Sequence, residues 1–243
     1  MSKSDLDDYC TKEYVTKIGN LKDDFESKWI YRYEWRRKKS VLSHLLNNTY
    51  DKILDVGCSN GSYFELLHEI GFNDIYGIDV SKDRVSIANK RGYLASNAKG
   101  QMLPFKNNAF NTVICLDVLV NIIKIKDYHE IIKEIYRILN HKGVFIFSFP
   151  NRKAFELVNK INRITGKRPL ELTDYSTVYE LSKVKKFLKS LNFDILKIKP
   201  ILFIYPERIA RIPPLIGIND LLFGDILKLE DYGKITYLKV MKL

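Results

Sequence analysis

Residues 53–61 read Ile53-Leu54-Asp55-Val56-Gly57-Cys58-Ser59-Asn60-Gly61. The pattern is an apolar, strand-like run, then a loop of small residues, then the start of a helix. In such an arrangement, backbone N–H groups and the positive end of the helix point at a bound ligand.

A second apolar strand follows at Ile75-Tyr76-Gly77-Ile78-Asp79 and ends in a carboxylate. An acidic residue about 20 residues beyond a glycine loop suits a ribose diol, because both hydroxyls can donate hydrogen bonds to it. The two stretches together predict that the chain binds an adenosine-type cofactor.

Strands and helices alternate from Lys52 onward, after a helical stretch at Asp5–Asn48. The predicted strands are Lys52–Val56, Asp74–Asp79, Tyr93–Ala95, Phe110–Leu116, Gly143–Phe149, Phe193–Lys199 and Ile235–Lys242, and the predicted helices are Tyr63–Ile70, Lys82–Lys90, Tyr128–Leu139 and Thr177–Leu191. This alternation predicts an α/β fold that is Rossmann-like and doubly wound, with a mostly parallel seven-stranded sheet, an antiparallel last strand and an N-terminal helical addition. We expect a single domain over 1–243, made of a helical cap (1–50), a cofactor-binding core (51–150) and a substrate-side region with the closing strands (151–243).

The chain of 243 residues is basic, with 40 Lys and Arg against 29 Asp and Glu and a formal net charge of +11. This surplus fits an RNA-binding face, a site for phosphorylated substrates, or a solvated lysine-rich surface, and the three alternatives stay open. Cys10, Cys58 and Cys115 show no disulfide or zinc spacing, and no signal-like or membrane-spanning apolar run is found. These features favour a cytoplasmic protein.

The order of the motifs resembles the class I S-adenosylmethionine-dependent methyltransferases, in particular their large small-molecule-type group. The likeness is carried by Asp55–Gly61, Asp79-Val80, Leu103–Phe105 with Asn107–Val113, Ile135–Leu139 with Lys142–Val144, and Ser148–Asn151. Each motif alone is weak, but one fold sets the spacing of all of them. A nicotinamide-dependent Rossmann enzyme would instead need Gly-x-Gly-x-x-Gly, and Ser59 stands where its second glycine would be.

The resemblance implies S-adenosyl-L-methionine as cofactor and assigns the residues that would bind it. They are Asp55, Gly57, Cys58, Ser59, Asn60, Gly61, Asp79, Val80, Asn97, Ala98 and Leu116. The first loop would meet the methionine end, with Asp55 on the ammonium group or, alternatively, capping the loop. Asp79 would hold the ribose and Val80 would lie beside the adenine. The Asn97 amide oxygen would accept from the adenine amine, unless Asn97 is only a turn residue.

Candidate catalytic groups are few. Many members of the family carry Glu-His where Val120-Asn121 stand, and no histidine of this chain falls at the carboxyl end of a predicted strand. Asp117 is the best-placed acid, either as a base or substrate contact or as a structural residue on the cofactor side. We expect no metal site. Methyl transfer from a sulfonium is an in-line displacement, so positioning can supply much of the acceleration.

Two regions are candidates for binding the methyl acceptor. One is the aromatic stretch Trp29–Arg37, which could cover the cofactor or pack against the sheet. The other follows the fifth strand, at Asn151–Tyr175 and Ile201–Leu229. The apolar Ile201–Leu229 could contact a lipid-linked substrate at a membrane surface or simply pack over the sheet edge.

The first hypothesis is therefore a methyltransferase for a small-molecule acceptor, such as a hydrophobic quinone-like, lipid-linked or sugar-containing compound. The alternatives are a tRNA or rRNA methyltransferase, favoured by the charge, and a catalytically silent module that binds S-adenosylmethionine. Leu116-Asp117-Val118-Leu119 lacks the Asn/Asp-Pro-Pro-aromatic motif of adenine amino methylation.

Overall fold

The computed structural model describes residues 38–46, 52–171, 177–201 and 229–243. The chain divides into two compact units, Met1–Pro104 and Phe105–Leu243. The expectations for Trp29–Arg37, and those for Ile201–Leu229 at residues 202–228, lie outside the described residues.

The first unit contains parallel strands connected by helices. Its elements are β1 (Ile53–Val56), α1 (Ser62–Ile70), β2 (Ile75–Asp79), α2 (Lys82–Lys90) and β3 (Leu94–Asn97), with a further helical segment at 38–45. β2 pairs in parallel with both β1 and β3. Every residue of β1 is buried, which accounts for its mostly apolar composition, since a parallel strand is covered on both faces.

Gly77 lets α1 and the loop before it pack tightly on β2. A Cβ at this position would lie 2.6 Å from both Cys58 Sγ and Phe64 Cζ. Because real side chains do not approach so closely, only glycine fits here without movement of its neighbours.

The second unit combines parallel and antiparallel pairing. Its elements are β4 (Phe110–Cys115), a 3₁₀ turn (Leu119–Asn121), α3 (Ile125–Ile138), β5 (Leu139–Pro150), α4 (Arg152–Ile164), α5 (Leu181–Ser190), β6 (Phe193–Ile201) and β7 (Ile235–Lys242). β4 and β5 are parallel, whereas β7 lies antiparallel to both β5 and β6.

The strand order is β3-β2-β1-β4-β5-β7-β6 in one seven-stranded sheet. Among the described strands, β7 alone runs antiparallel to its neighbours. The prediction of a Rossmann-like, mostly parallel sheet with an antiparallel last strand is therefore confirmed.

An aromatic cluster joins α3 and α5 to the end of β5 in the second unit. The Tyr128 ring lies 5.1 Å from that of Tyr179 and 5.6 Å from that of Phe187, and the Phe149 ring lies 6.0 Å from that of Tyr179, measured between centroids. Such ring pairs contribute beyond the area that they bury. Tyr128 is buried on the same helix as the isoleucines that the helical spacing placed in the core.

Tyr179 connects the 3₁₀ turn to β5. Its hydroxyl donates to the carbonyl oxygens of Leu119 and Ile122, at 3.0 and 2.9 Å. Its backbone N–H donates to the carbonyl of Pro150 at 2.9 Å. The residues that follow β4 are therefore held against the end of β5 by one side chain.

Three helices differ from the sequence-based expectation. α4 was not predicted, although its apolar residues recur at helical spacing, and Ala154 is its one buried residue. α5 begins at Leu181 rather than Thr177, because the backbone of 177–179 pairs with neighbouring segments instead. α3 begins at Ile125, where an exposed first turn gives no apolar signal.

Replacing Tyr179 by Phe removes a donor from two carbonyl groups and keeps the ring. We expect the free energy of unfolding to fall by about 1–3 kcal/mol, because polar groups near the core lose their partner. Tyr128→Phe is the matched control, since the Tyr128 hydroxyl is buried and makes no hydrogen bond within the described part of the chain. Urea denaturation of both variants measures the difference. Equal losses would show that the Tyr179 hydroxyl contributes nothing specific.

Candidate functional site

The loop between β1 and α1 has a backbone shaped as a cradle. Gly57, Ser59 and Gly61 all adopt positive φ angles of 85°, 52° and 84°. The N–H groups of Gly57 and Cys58 both donate to the Ile78 carbonyl, at 2.8 and 2.9 Å. The loop is thereby fixed to the end of β2 and cannot close over the space in front of α1.

Asp79 ends β2 with its carboxylate held in one orientation. Oδ2 accepts a hydrogen bond from the N–H of Ser59 at 2.9 Å, and Oδ1 accepts one from the N–H of Ser81 at 2.8 Å. A carboxylate oxygen has more than one lone pair, so each can accept a further donor. The geometry thus presents an oriented acceptor pair beside the loop.

Two arginines that the sequence analysis missed support this loop. Arg84 Nη1 donates to Ser59 Oγ at 3.0 Å, and Arg91 Nη1 donates to the Asn60 carbonyl at 2.8 Å. Arg91 also forms an ion pair with Glu65 of α1. Their positions at the two ends of α2 could have indicated this, because a βαβ unit brings the ends of its helix near the loop between β1 and α1.

Asp55 and Cys58 lie buried behind the cradle. Burial raises the pKa of the Cys58 thiol, and the negative charges of Asp55 and Asp79 raise it further. The thiol therefore stays protonated, which agrees with its interpretation as a small loop residue and not as a nucleophile.

Asn97 and Val80 form an edge next to Asp79. The Asn97 amide nitrogen donates to the carbonyls of Asp79 and Val80, at 3.0 and 2.8 Å. This assigns the side-chain oxygen of Asn97 as the atom that can accept a further hydrogen bond. Val80 is 45% exposed beside it, and the Ala98 N–H donates to the Asp79 carbonyl at 3.1 Å. The edge therefore offers one acceptor and one apolar surface.

The second unit holds a small cavity where β4 and β5 end. Its volume is about 120 Å³, and it is lined by Asp117, Val120, Ser148, Phe149, Pro150 and Ile235. Leu116 is buried directly before it, and Asp117 has a φ of 57°. The Asp117 N–H donates to Ser148 Oγ at 2.9 Å, so the two polar lining residues are linked.

The walls of this cavity are fixed by backbone hydrogen bonds. Thr177 N–H donates to the Val120 carbonyl at 2.8 Å, and Asn151 N–H donates to the Lys234 carbonyl at 3.1 Å. The Asn151 amide also donates to Thr236 Oγ1 at 3.2 Å. The end of β5 is thus joined to the start of β7, and the cavity has a defined shape.

Two of the described histidines, His68 and His129, lie in packing positions. In the last turn of α1, the His68 ring nitrogen lies 2.9 Å from the Phe72 carbonyl oxygen. The His129 ring stacks on Phe187 with centroids 3.9 Å apart, and burial, followed by the charge of Lys133, lowers the His129 pKa. Among the residues that line the cavity, Asp117 is the one with an ionisable side chain.

Several known proteins are similar to this chain in sequence. The family profile described as "Methyltransferase domain" matches residues 54–147. The ubiquinone biosynthesis O-methyltransferase of Rickettsia prowazekii is 26% identical over 186 residues, which cover 72% of each chain. The uncharacterized protein MJ1252 of Methanocaldococcus jannaschii is 28% identical over 143 residues, or 58% of this chain. The match spans only 51% of the length of MJ1252.

Solved structures give the same fold. Magnesium protoporphyrin IX methyltransferase (ChlM) from Synechocystis PCC 6803, with bound SAH, superposes with a TM-score of 0.69 over 100% of both chains. At 16% sequence identity, this likeness establishes the fold alone.

The Rossmann-like sheet, the glycine loop after β1 and the acid that ends β2 agree with the resemblance to class I S-adenosylmethionine-dependent methyltransferases. The family profile identifies residues 54–147 as a methyltransferase domain, and solved methyltransferases share the fold. The resemblance found in the sequence is thereby confirmed.

Alkylation of Cys58 provides a test of the environment behind the loop. At about pH 8.5 we expect iodoacetamide to modify Cys58 in the folded protein roughly a hundredfold more slowly than in the unfolded chain, because the thiolate is the reactive form. Since the pKa is raised, increasing the pH through the ordinary thiol range should accelerate labelling only in the unfolded chain. Mass spectrometry of the Cys58 peptide, with and without guanidinium, measures both rates. Rapid labelling of the folded protein would contradict the assigned environment.

Proposed function

We propose that this protein transfers a methyl group from S-adenosylmethionine to a small, largely apolar acceptor that binds beside Asp117. The observation that carries the proposal is the cavity of about 120 Å³, which has four apolar lining residues, one hydroxyl and one carboxylate. Its volume is near the roughly 150 Å³ that accommodates a benzene ring in an engineered protein cavity. Ligands of open α/β sheets bind at this carboxyl edge of the strands.

The first unit fits the cofactor. The carboxylate of Asp79, oriented by two backbone N–H groups, would accept hydrogen bonds from the ribose hydroxyls. The Asn97 side-chain oxygen would accept one from the adenine amine, and the exposed face of Val80 would cover the ring. The loop at 57–61 would receive the methionine portion on its backbone N–H groups.

When bound, the cofactor supplies a methyl carbon that is already activated by its sulfonium. The chain then has two tasks, to position the acceptor and to take its proton. The lining of the cavity would hold the nucleophilic atom of the acceptor in line with the methyl carbon and the sulfur that leaves. Asp117 is the group in the cavity that would accept the proton released by a hydroxyl or amine nucleophile.

A hydroxylated ring suits this cavity best. Phe149, Pro150 and Ile235 offer flat or aliphatic contact, while Asp117 and Ser148 are the groups that can interact with a hydroxyl. The similarity to a protein named for ubiquinone biosynthesis supports an acceptor of this kind. RNA is the second candidate because of the net charge of +11. A small recessed cavity favours the first candidate, since an RNA acceptor also needs a surface for its phosphates.

The Asp79→Ala substitution tests the cofactor assignment. We expect the dissociation constant for S-adenosylmethionine to rise more than tenfold, roughly the loss of a hydrogen-bonding pair with a charged partner. Asp83→Ala is the control, because Asp83 is an exposed acid in the first turn of the same helix that Ser81 caps. Isothermal titration measures both affinities. An unchanged affinity for the Asp79 variant would refute the ribose assignment.

Transfer of a radiolabelled methyl group into fractionated extract of the source cells tests the acceptor class. We expect nuclease-insensitive label in the small-molecule and lipid pool, well above the level that the Asp79→Ala blank gives. With the acceptor in hand, Asp117→Asn should lower the rate at least about tenfold, in line with the loss of a general base, while cofactor affinity is unchanged. Asp127→Asn, at a half-buried acid in the first turn of α3 that does not line the cavity, is its control. Nuclease-sensitive label would select RNA instead.

A further inference from the structure

α4 begins at the rim of the cavity and extends away from the sheet. Pro150 lines the cavity, and the next residue, Asn151, caps the helix by accepting from the Lys153 N–H at 3.1 Å. Ala154 is the one fully buried residue of the helix. Thirteen residues of helix span about 20 Å, and the apolar side chains are more exposed toward its far end.

The far end of α4 and the residues after it display aliphatic side chains to solvent. Ile161 is 38% exposed, Ile164 is 76% exposed and Leu170 is 45% exposed. Single exposed aliphatic residues are ordinary, but three of them within ten residues indicate a surface that binds a partner. We call residues 159–171 the α4 tip.

The α4 tip is an ordered structure. Asn159 holds Leu170 by two hydrogen bonds, from its amide to the Leu170 carbonyl at 3.0 Å and from the Leu170 N–H to its side-chain oxygen at 2.6 Å. The Lys167 N–H donates to the Asn162 carbonyl at 2.7 Å, and Gly166 turns the chain with a φ of 69°. The chain therefore folds back along the helix, and Leu170 is held beside Asn159.

Positive charge surrounds this patch. Residues 152–171 contain six basic and two acidic side chains, a surplus of four positive charges. The basic residues are Arg152, Lys153, Lys160, Arg163, Lys167 and Arg168, and the acidic ones are Glu156 and Glu171. Lys160 and Arg163 alternate with Ile161 and Ile164, so aliphatic and cationic groups are presented together.

We propose that the α4 tip binds the surface of an anionic phospholipid bilayer. Ile161, Ile164 and Leu170 would enter the interfacial region, while Lys160 and Arg163 contact the headgroups, as in amphipathic basic helices that lie in a membrane interface. Such binding is peripheral: across the stretches described, no helix combines the length and the apolar character needed to span a bilayer.

The composition of the tip favours lipid over RNA. Residues 159–171 include no aromatic side chain, and aliphatic residues offer nothing for bases to stack on. A bilayer, in contrast, uses both properties at once, because its boundary is negative and its interior apolar. Surface binding does not depend on methyl transfer. Combined with the proposed function, it would bring the cavity close to an acceptor dissolved in the membrane.

Vesicle sedimentation of the whole chain, without cofactor, tests the proposal. We expect binding to phosphatidylcholine vesicles that contain about 30% phosphatidylglycerol and little binding to phosphatidylcholine alone. Ile164→Asp should weaken binding about tenfold and Lys160→Glu at least about fivefold, from the lost burial and the lost attraction. Ile125→Asp is the matched control, because Ile125 is 59% exposed at the start of α3. Circular dichroism and thermal unfolding establish that each variant is folded.

Three outcomes would overturn the proposal. The unmodified chain remains in the supernatant with anionic vesicles, or Ile164→Asp binds as tightly as the unmodified chain, or Ile125→Asp loses as much as Ile164→Asp. A fourth outcome would select RNA in place of lipid. In it, the chain binds a short RNA, Lys160→Glu weakens that binding, Ile164→Asp leaves it unchanged, and vesicles do not compete with the RNA. Because no readout involves methyl transfer, failure here is distinguishable from failure of the proposed function.

Discussion

The carboxylate of Asp79 joins three segments of the first unit. It accepts one N–H from the cradle loop at Ser59 and one from Ser81, where α2 begins, so loop, strand and helix are tied at a single point. Hydrogen bonds with a charged partner contribute about 1.5–3 kcal/mol each, more than neutral ones. Two backbone hydrogen bonds to the Ile78 carbonyl also hold the loop between β1 and α1. The same atoms that orient the carboxylate for a ligand therefore stabilise the fold around it, which is why the site exists before any ligand arrives.

In the second unit, an aromatic residue and not a charged one holds the segment that follows a strand. The segment after β4 leaves the sheet at Asp117, in a left-handed conformation, and runs into a short 3₁₀ turn. Tyr179 holds that turn through two carbonyls, and its ring packs on Tyr128 and Phe149. Packing fixes where the ring lies, and the hydroxyl then fixes the backbone. The cavity that results is rigid because its walls are bonded to strands on two sides.

Sequence patterns predict the strands and helices of this molecule in which burial sets the spacing of the apolar residues. β4 and residues 143–149 of β5 are anticipated because they are buried and mostly apolar, and α3 is anticipated because its isoleucines recur on one face. The site residues on strand ends, Asp79 above all, follow from the same logic. Arg84 and Arg91 do not, because a long flexible side chain reaches its partner through space and leaves no local pattern. The lining of the cavity likewise depends on β7, which pairs with β5 across about 90 residues of chain.

Only the first turn of α4 contributes a fully buried side chain, Ala154, and this bears on the role of the helix. Its first turn is fixed by the sheet and its last by Asn159 and Asn162, so most of its apolar residues contribute little to the core. Water solvates the exposed Ile164 unfavourably in the free protein, folded or unfolded, and only a second apolar phase relieves that cost. The nearby cations select among such phases, because they attract one with a negative boundary and are poorly compatible with a dry protein interface that would strip their water. The combination of exposed aliphatic and cationic side chains at the α4 tip is thus the one expected of a helix whose partner is a charged lipid surface.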